Sequence, residues 1–320
     1  MILAIGNSSD REFEAYNLIQ SATRAKGGEI VIFCQDKCLD GESIIFRSKD
    51  CICEHVIKID GIEYRLSDFD SVLYMHPQIN KSLLRYEPQS HANFIERQFR
   101  ELRKSLWILM SDKKWIDDPW RIQRAENKIF QLVSASSVGL NIPDTAVTSD
   151  PEEVKKFYAD HKGRIISKIV VPAPILDHVI YTNLVTEEQM KGIESVKMCP
   201  SIFQEKVSKS YELRITVVGD KLFAAKIDSQ GDEETRIDWR KKPILNDHAV
   251  RFSSYELPDG VTRKIFQFME KMGLRFGCID MIVTPNGKYV FLEINPNGQW
   301  YFVQLKTKMD IASAIVDLVL

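Results

Sequence analysis

No apolar run in the 320 residues reaches the roughly 18 residues that a membrane-crossing helix takes. Excess charge of one sign is also missing, since 43 Lys and Arg stand against 45 Asp and Glu for a formal net charge of −2. That balance argues against general binding to nucleic acid or an anionic membrane, and leaves recognition to local groups. The opening MILAIGNSSD has no basic flank ahead of its apolar residues, so it reads as a first buried strand and not as an export signal. Cysteine is scarce. With no export signal, Cys34, Cys38, Cys51, Cys53, Cys199 and Cys278 read as reduced thiols of a cytoplasmic protein. Cys34 and Cys38 followed by Cys51 and Cys53 lack the regular spacing and the His pair of a zinc site. Internal repeats and low-complexity segments are absent too.

What is present is a globular composition, 44% apolar and 28% charged, in a chain too long for one ordinary core. The first part alternates as a small α/β unit: a strand at Ile2 to Ile5, a helix from about Glu12 to Lys26, then strands in EIVIFC and FDSVLYMHP. A helix from about Asn93 to Met110 follows, with Phe94, Phe99, Leu102 and Leu106 as its expected apolar stripe. The acid-Pro start DDPW opens one continuous helix that runs to a Gly139 stop. Further on, RIISKIV and PSIFQEKV read as strands, and Gly219-Asp220 turns a hairpin. Residues 183 to 198 read as an amphipathic helix, and residues 261 to 272 and the chain from about Lys308 as further helices. A domain boundary is expected near Asp117, which divides the chain into 1–116 and 117–320.

The stretch VFLEINPNGQW (290 to 300) sets Glu293 and Asn295 in the same phase of an apolar strand. Asn286-Gly287 is a hairpin signal between GCIDMIV and YVFLEIN. A turn centred there makes Val283 face Val290, Met281 face Leu292 and Asp280 face Glu293. Ile279, Met281, Val283, Val290, Leu292 and Ile294 then share a core face, and the acids share the other. Directly opposed residues have Cβ atoms about 4.5 to 5.5 Å apart, where two carboxylates repel unless a proton or cation lies between them. Two carboxylates plus the Asn295 oxygen suit Mg²⁺, and the same three groups also suit a solvated face paired with lysines. A loop of three or five residues would shift the register and remove the pairing.

Lys128 in ENKIFQ, Lys168 in ISKIV, FQEKV at 203 to 207, Glu212 seven residues after Glu205, and the Asp280/Glu293/Asn295 hairpin together resemble the ATP-grasp ligases. The longer stretches WIDDPWRIQRAENKIFQLVSASSVGLNIPDT and FGCIDMIVTPNGKYVFLEINPNGQWYFVQ are similar to the microviridin and related graspetide maturases within that family. The resemblance implies an α/β ATP-grasp fold, with an N-terminal pre-ATP-grasp domain at 1–116 and central and C-terminal subdomains in 117–320. It implies ATP and Mg²⁺ as cofactors, with Lys128 and Lys168 on the phosphates, and Gln204, Glu205 and Val207 beside adenine. Glu212 would take the ribose hydroxyls, and Asp280, Glu293 and Asn295 the metal. The implied activity is phosphorylation of Asp or Glu side chains in a ribosomally made precursor peptide, followed by attack of a Ser/Thr hydroxyl or Lys amine to close an ester or amide ring.

The stretch after the strand at 71 departs from the pattern: relatives carry Tyr-Arg-Arg-Pro there, and this chain has YMHP at 74 to 77. Many ATP-grasp ligases also place an arginine two residues before the first metal acid, where this chain has Cys278. Arg214 is the expected replacement. Arg240 is expected to hold the acceptor carboxylate by a bidentate fork, and Asp238 to take the proton of the attacking group. The expected partners are a precursor peptide with leader and core segments and a second copy of the chain in a homodimer, with neither nucleic acid nor membrane. Two other readings stay open: an ATP-grasp ligase that adds an amino acid to a protein tail or small carboxylate, and a nucleotide- or peptide-binding module without turnover.

Overall fold

In the computed structural model, which describes residues 1–75, 77, 89–171, 182–231, 235, 238–241 and 250–320, the opening apolar run forms β1 (Ile2–Gly6), buried throughout. Helix α1 (Asp10–Ala25) leads back to β2 (Ile30–Cys34), which pairs parallel to β1. A meander that the sequence reading missed follows: β3 (Ser43–Lys49), β4 (Ile52–Ile59) and β5 (Ile62–Arg65). Its second turn is Asp60-Gly61, with φ of 48° and 82°, a hairpin signal that was legible in the chain. Strand β6 (Ser71–Tyr74), helix α2 (Gln89–Leu109) and β7 (Lys114–Ile116) complete a parallel sheet in the order β2-β1-β6-β7. The buried stripe of α2 is rotated from the expected one. Leu106 is fully buried, but Phe94 is 63% exposed, because Ala92, Trp107 and Met110 face the core. His76, in the YMHP stretch, lies outside the described residues.

The single helix expected after Asp117 is two helices, α3 (Pro119–Ala125) and α4 (Lys128–Ser137). Asn127 divides them by accepting a hydrogen bond from Phe130 N at 2.9 Å, which makes it the N-cap of α4 and places Lys128 in the first turn. Strand β8 (Thr145–Thr148), α5 (Pro151–Asp160), β9 (Ile165–Ile169), β10 (Asn183–Leu184), α6 (Glu187–Lys191) and β11 (Ser201–Glu205) follow. The strands form an antiparallel sheet in the order β10-β9-β11-β8. The amphipathic helix expected over 183 to 198 is a short strand, the one-turn α6 and a 3₁₀ segment (Ile193–Met198), divided at Gly192. Val185, Ile193 and Val196 pack on Val154 and Phe203.

Strand β12 (Tyr211–Val218) turns at Gly219-Asp220 into β13 (Lys221–Asp228), followed by β14 (Arg251–Tyr255), α7 (Asp259–Met272), β15 (Phe276–Val283) and β16 (Tyr289–Asn295). Helices α8 (Tyr301–Thr307), which was not expected, and α9 (Ile311–Asp317) come last. The sheet order is β14-β13-β12-β15-β16, antiparallel throughout. Residues of α4 and α7 cover one face, and residues of α8, α9 and α1 cover the other. The fully buried Phe268, Phe291 and Phe302 each contribute roughly 1.5 to 3 kcal/mol through burial. Among the described residues no helix is long and apolar enough to cross a membrane.

The β15–β16 register corrects one expectation and keeps another. Asp280 does face Glu293, but Met281 faces Phe291 and Val283 faces Tyr289, where Leu292 and Val290 had been expected. The turn holds three residues, Pro285 to Gly287, where a two-residue turn at Asn286-Gly287 had been expected: Thr284 and Lys288 close it by a backbone bond of 3.0 Å, and Gly287 takes φ of 78°. A β-bulge at Leu292 then restores the original phase toward the strand end. The core face is accordingly Ile279, Met281, Val283, Tyr289, Phe291 and Ile294, with Val290 and Leu292 on the opposite side.

Candidate active site

Between the sheet of β8–β11 and the sheet of β12–β16 opens a cleft of about 1540 Å³, counting the solvent at its mouth. Strand period decides its walls. Ile166 and Lys168, two apart on β9, share one side, and Asp280 and Ile282 do the same on β15. The bulge turns Leu292 into the cleft beside Glu293, so an apolar and an acidic side chain from adjacent positions line it together. Ile166, Leu184, Ile282 and Leu292 make apolar walls that the sequence reading overlooked, for want of any sign that these strands face each other.

At one end lie Gln204, Glu205 and Val207, with Glu212 on β12. Gln204 is buried and donates to Thr145 Oγ1 at 3.0 Å, while its Oε1 has no partner among the described residues. The N–H and C=O of Val207 likewise make no hydrogen bond among them. Such a set of free acceptors and donors fits the edge of a purine. Glu205 is drawn partly aside, its Oε1 accepting from Asp144 N at 3.2 Å. Glu212 accepts from Lys209 Nζ and from Ser229 Oγ (2.8 Å) on the same Oε1, and burial raises its carboxyl pKa despite the lysine.

The other end is crowded with charge. Lys128 Nζ meets Glu293 Oε2 at 2.8 Å, and Arg240 Nη1 lies 3.6 Å from Glu293 Oε1. Burial would push the Glu293 carboxyl up, but Lys128, Arg240 and Lys168 outweigh it and hold the pKa at about 2. Asp280 is raised instead, by burial, with Glu293 adding to the shift and Arg214 opposing it. Arg214 Nη1 is 2.9 Å from Asp280 Oδ2, and Asn295 Nδ2 donates to that same oxygen at 3.2 Å. Asp280 Oδ1 is buried and unpartnered among the described residues. An orphaned carboxylate oxygen beside a second acid and an amide fits a hard divalent cation such as Mg²⁺. Lys168 is half-buried, its pKa lowered by burial, and it makes no hydrogen bond or ion pair among the described residues, which leaves an ammonium for an anion.

Two side chains differ in setting from expectation. Asp238 is committed to Arg240, accepting from Nε at 2.9 Å and Nη2 at 2.8 Å, so the fork expected for a substrate carboxylate is already half filled. Burial would raise the Asp238 carboxyl, but Arg240 lowers it, which makes it a weak base and a good anchor. Gln131, inside the ENKIFQ stretch but unassigned from sequence, bonds both Ile294 N (3.1 Å) and Ile294 O (2.9 Å). It thereby stitches α4 to the strand that carries Glu293 and Asn295.

No protein-family model matches the chain. Among solved structures, a macrocyclase from Microcystis aeruginosa MRC bound with its precursor peptide superposes with a TM-score of 0.85 at 28% identity, over 100% of this chain and 99% of that one. A ribosomal-peptide-associated ATP-grasp ligase of Chryseobacterium gregarium, in complex with ADP and a leader and core peptide, also gives 0.85 at 28%, over 99% and 96%. A curated relative, a probable alpha-L-glutamate ligase of Chromohalobacter salexigens, is 23% identical over 206 residues, which is 63% of this chain. The match spans 65% of that relative's length, just under two thirds.

Proposed function

We propose that the chain, built like the macrocyclases of ribosomal peptides, is an ATP-grasp ligase that closes side-chain ester or amide links in a precursor peptide with leader and core segments. One observation carries the reading: Asp280 Oδ1, buried and without a partner among the described residues, stands beside Glu293 in a cleft that also holds Lys168, uncommitted among those same residues. In this reading Asp280, Glu293 and Asn295 hold Mg²⁺, and Lys168 and Lys128 hold the phosphates. Gln204, Glu205 and Val207 border adenine, and Glu212 takes the ribose. Bound there, ATP with Mg²⁺ supplies the phosphoryl group that activates a carboxylate and leaves as ADP.

The rest falls to the chain's own residues. Asp238 fixes Arg240 by two hydrogen bonds, and Arg240 Nη1 orients the substrate carboxylate. Arg214 keeps Asp280 in place and adds positive charge where the phosphoryl oxygens gather. The activated carboxyl carbon is attacked by a Ser/Thr oxygen or Lys nitrogen; the C–O bond to phosphate breaks, and the nucleophile's proton passes to the departing phosphate. Each link removes one water from the peptide. The apolar Ile282 and Leu292 keep competing water from that end of the cleft. The division into an N-terminal domain at 1–116 and an ATP-grasp domain at 117–320 belongs to the same reading, as does a cytoplasmic homodimer, which sedimentation velocity checks.

A second reading, addition of an amino acid to a carboxylate, is favoured by the name of the curated relative. One mass spectrum separates the two. The chain is incubated with ATP, Mg²⁺, glutamate and the peptide encoded beside it, whose core carries Ser/Thr or Lys with Asp/Glu. Loss of one water per link, with fragmentation blocked inside the core, is expected. A mass gain of one glutamyl residue would favour the second reading, and an unchanged peptide would overturn both.

A further inference from the structure

Helix α1, in the N-terminal part, sends one carboxylate to the segment that follows β16. Glu12 is only 6% exposed, and its Oε1 accepts from Gln299 Nε2 at 3.0 Å. Gln299 turns its own carbonyl to Arg214, whose Nη2 donates to it at 2.9 Å. Arg214 Nη1 then meets Asp280 Oδ2. Three consecutive polar contacts thus join an acid of the first helix to the carboxylate of Asp280 itself. The segment from Pro296 to Gln299 is where β16 leaves its sheet, just past Asn295. Beneath it lies a small apolar cavity bounded by Ile19, Leu73, Ile122, Phe276, Trp300 and Tyr301. A void supplies no dispersion contacts, so the segment is held from that side by directed polar bonds more than by packing.

We propose that Glu12 is a positioning residue for the activation site: by holding Gln299 it fixes the carbonyl that seats Arg214 against Asp280. The inference rests on the function proposed above and adds to it a role for the N-terminal part. Arg214 competes with any cation for Asp280. A loosened Arg214 therefore has two effects of opposite sign: the chemical step slows, because a guanidinium is out of place, and Mg²⁺ is bound more readily, because Asp280 is less neutralised. General damage to the fold would weaken both.

The test uses the full chain with Glu12→Ala, Glu12→Gln and Gln299→Ala. Glu12→Gln keeps an acceptor oxygen at the same reach, and Gln299→Ala removes the donor without touching α1. In linkage assays Glu12→Ala and Gln299→Ala are expected to lower kcat about tenfold with KM for ATP within about twofold, and Glu12→Gln to recover most of the loss. The double variant is expected to be no slower than either single one, since both break the same bond. In a second measurement that needs no peptide, Mg²⁺ is titrated at fixed ADP by calorimetry, and the half-saturating Mg²⁺ is expected to fall about threefold in Glu12→Ala and Gln299→Ala. Unchanged kcat, multiplying single effects, or an unchanged or raised Mg²⁺ requirement would overturn the positioning role. A wild-type chain that links no peptide would overturn the function, and the calorimetric half would still decide the role of Glu12.

Discussion

At Gly298 the absence of a side chain is a condition of the site. A Cβ there would lie 2.7 Å from Cys278 Cβ and 2.9 Å from Arg214 Nη2. Cys278 itself is small where many ATP-grasp ligases have an arginine, and Arg214 reaches Asp280 from the neighbouring strand, directly across the β12–β15 pair. Strand pairing makes that exchange possible, since position 214 and position 280 are opposed and their side chains rise on one face. Gly298→Ala forces Arg214 or the strand-end segment to move. It is expected to cost about 1 to 3 kcal/mol in stability and to slow linkage at least about tenfold, checked by denaturant midpoint and by kcat. Retention of both would mean that the segment yields without disturbing Arg214. Gly298 was legible in the chain as part of a strand-ending Pro-Asn-Gly, but its tight contacts were not, because they come from residues 20 and about 84 positions away in sequence.

The break between α3 and α4 matters at the scale of the element. A continuous helix would keep Lys128 in its interior. The Asn127 cap instead starts a new helix at Lys128, whose Nζ reaches Glu293 at 2.8 Å. Asn127→Ala is expected to cost about 1 kcal/mol of stability, and to weaken ADP binding a few-fold through Lys128, whereas Asn127→Asp leaves both near wild type. Thermal melts and ADP titrations check the pair, and equal binding by Asn127→Ala would show that Lys128 does not depend on its cap. The bulge at Leu292 is a second case of an element deciding chemistry. The three-residue turn alone would have put Asp280 and Glu293 out of register, and the extra residue brings them back opposite each other. Apolar alternation located both strands, but neither loop length nor bulge follows from alternation, since the turn and the strand end compete for register.

For the molecule as a whole, Asp117 is a link between two of its sheets. Its backbone takes φ of 46°, and its buried carboxylate accepts from Arg275 N at 2.8 Å and Phe276 N at 2.7 Å, which ties the end of the first sheet to the start of β15. Burial pushes its pKa from 3.8 up to about 6, against the pull of those backbone donors. The folded state therefore holds the proton more tightly than the unfolded one. The stabilisation linked to Asp117 is fully present below about pH 4 and is lost as pH rises through about 6, a change of ~3 kcal/mol. Asparagine, neutral and tolerant of positive φ, is expected to remove that slope. Denaturation of wild type and Asp117→Asn between pH 4 and 7 checks it: the stability difference should move toward the variant as pH rises, and a flat difference would show that Asp117 does not titrate there.

Local and periodic properties were settled by the sequence alone. These include the opening strands of an α/β unit and the β12–β13 hairpin at Gly219-Asp220. They depend on turn chemistry and on a period of two, which neighbouring residues carry. Only the tertiary structure decided which charges answer one another. Lys128 meets Glu293, Asp238 is spent on Arg240, and Lys168 is left uncommitted among the described residues. It alone brought Glu12 to Gln299 and Gln131 to Ile294. The physical reason is range: periodicity tells a residue which face it occupies, whereas a hydrogen bond or ion pair across 3 Å depends on how separate sheets and helices are packed, which no short stretch of chain encodes.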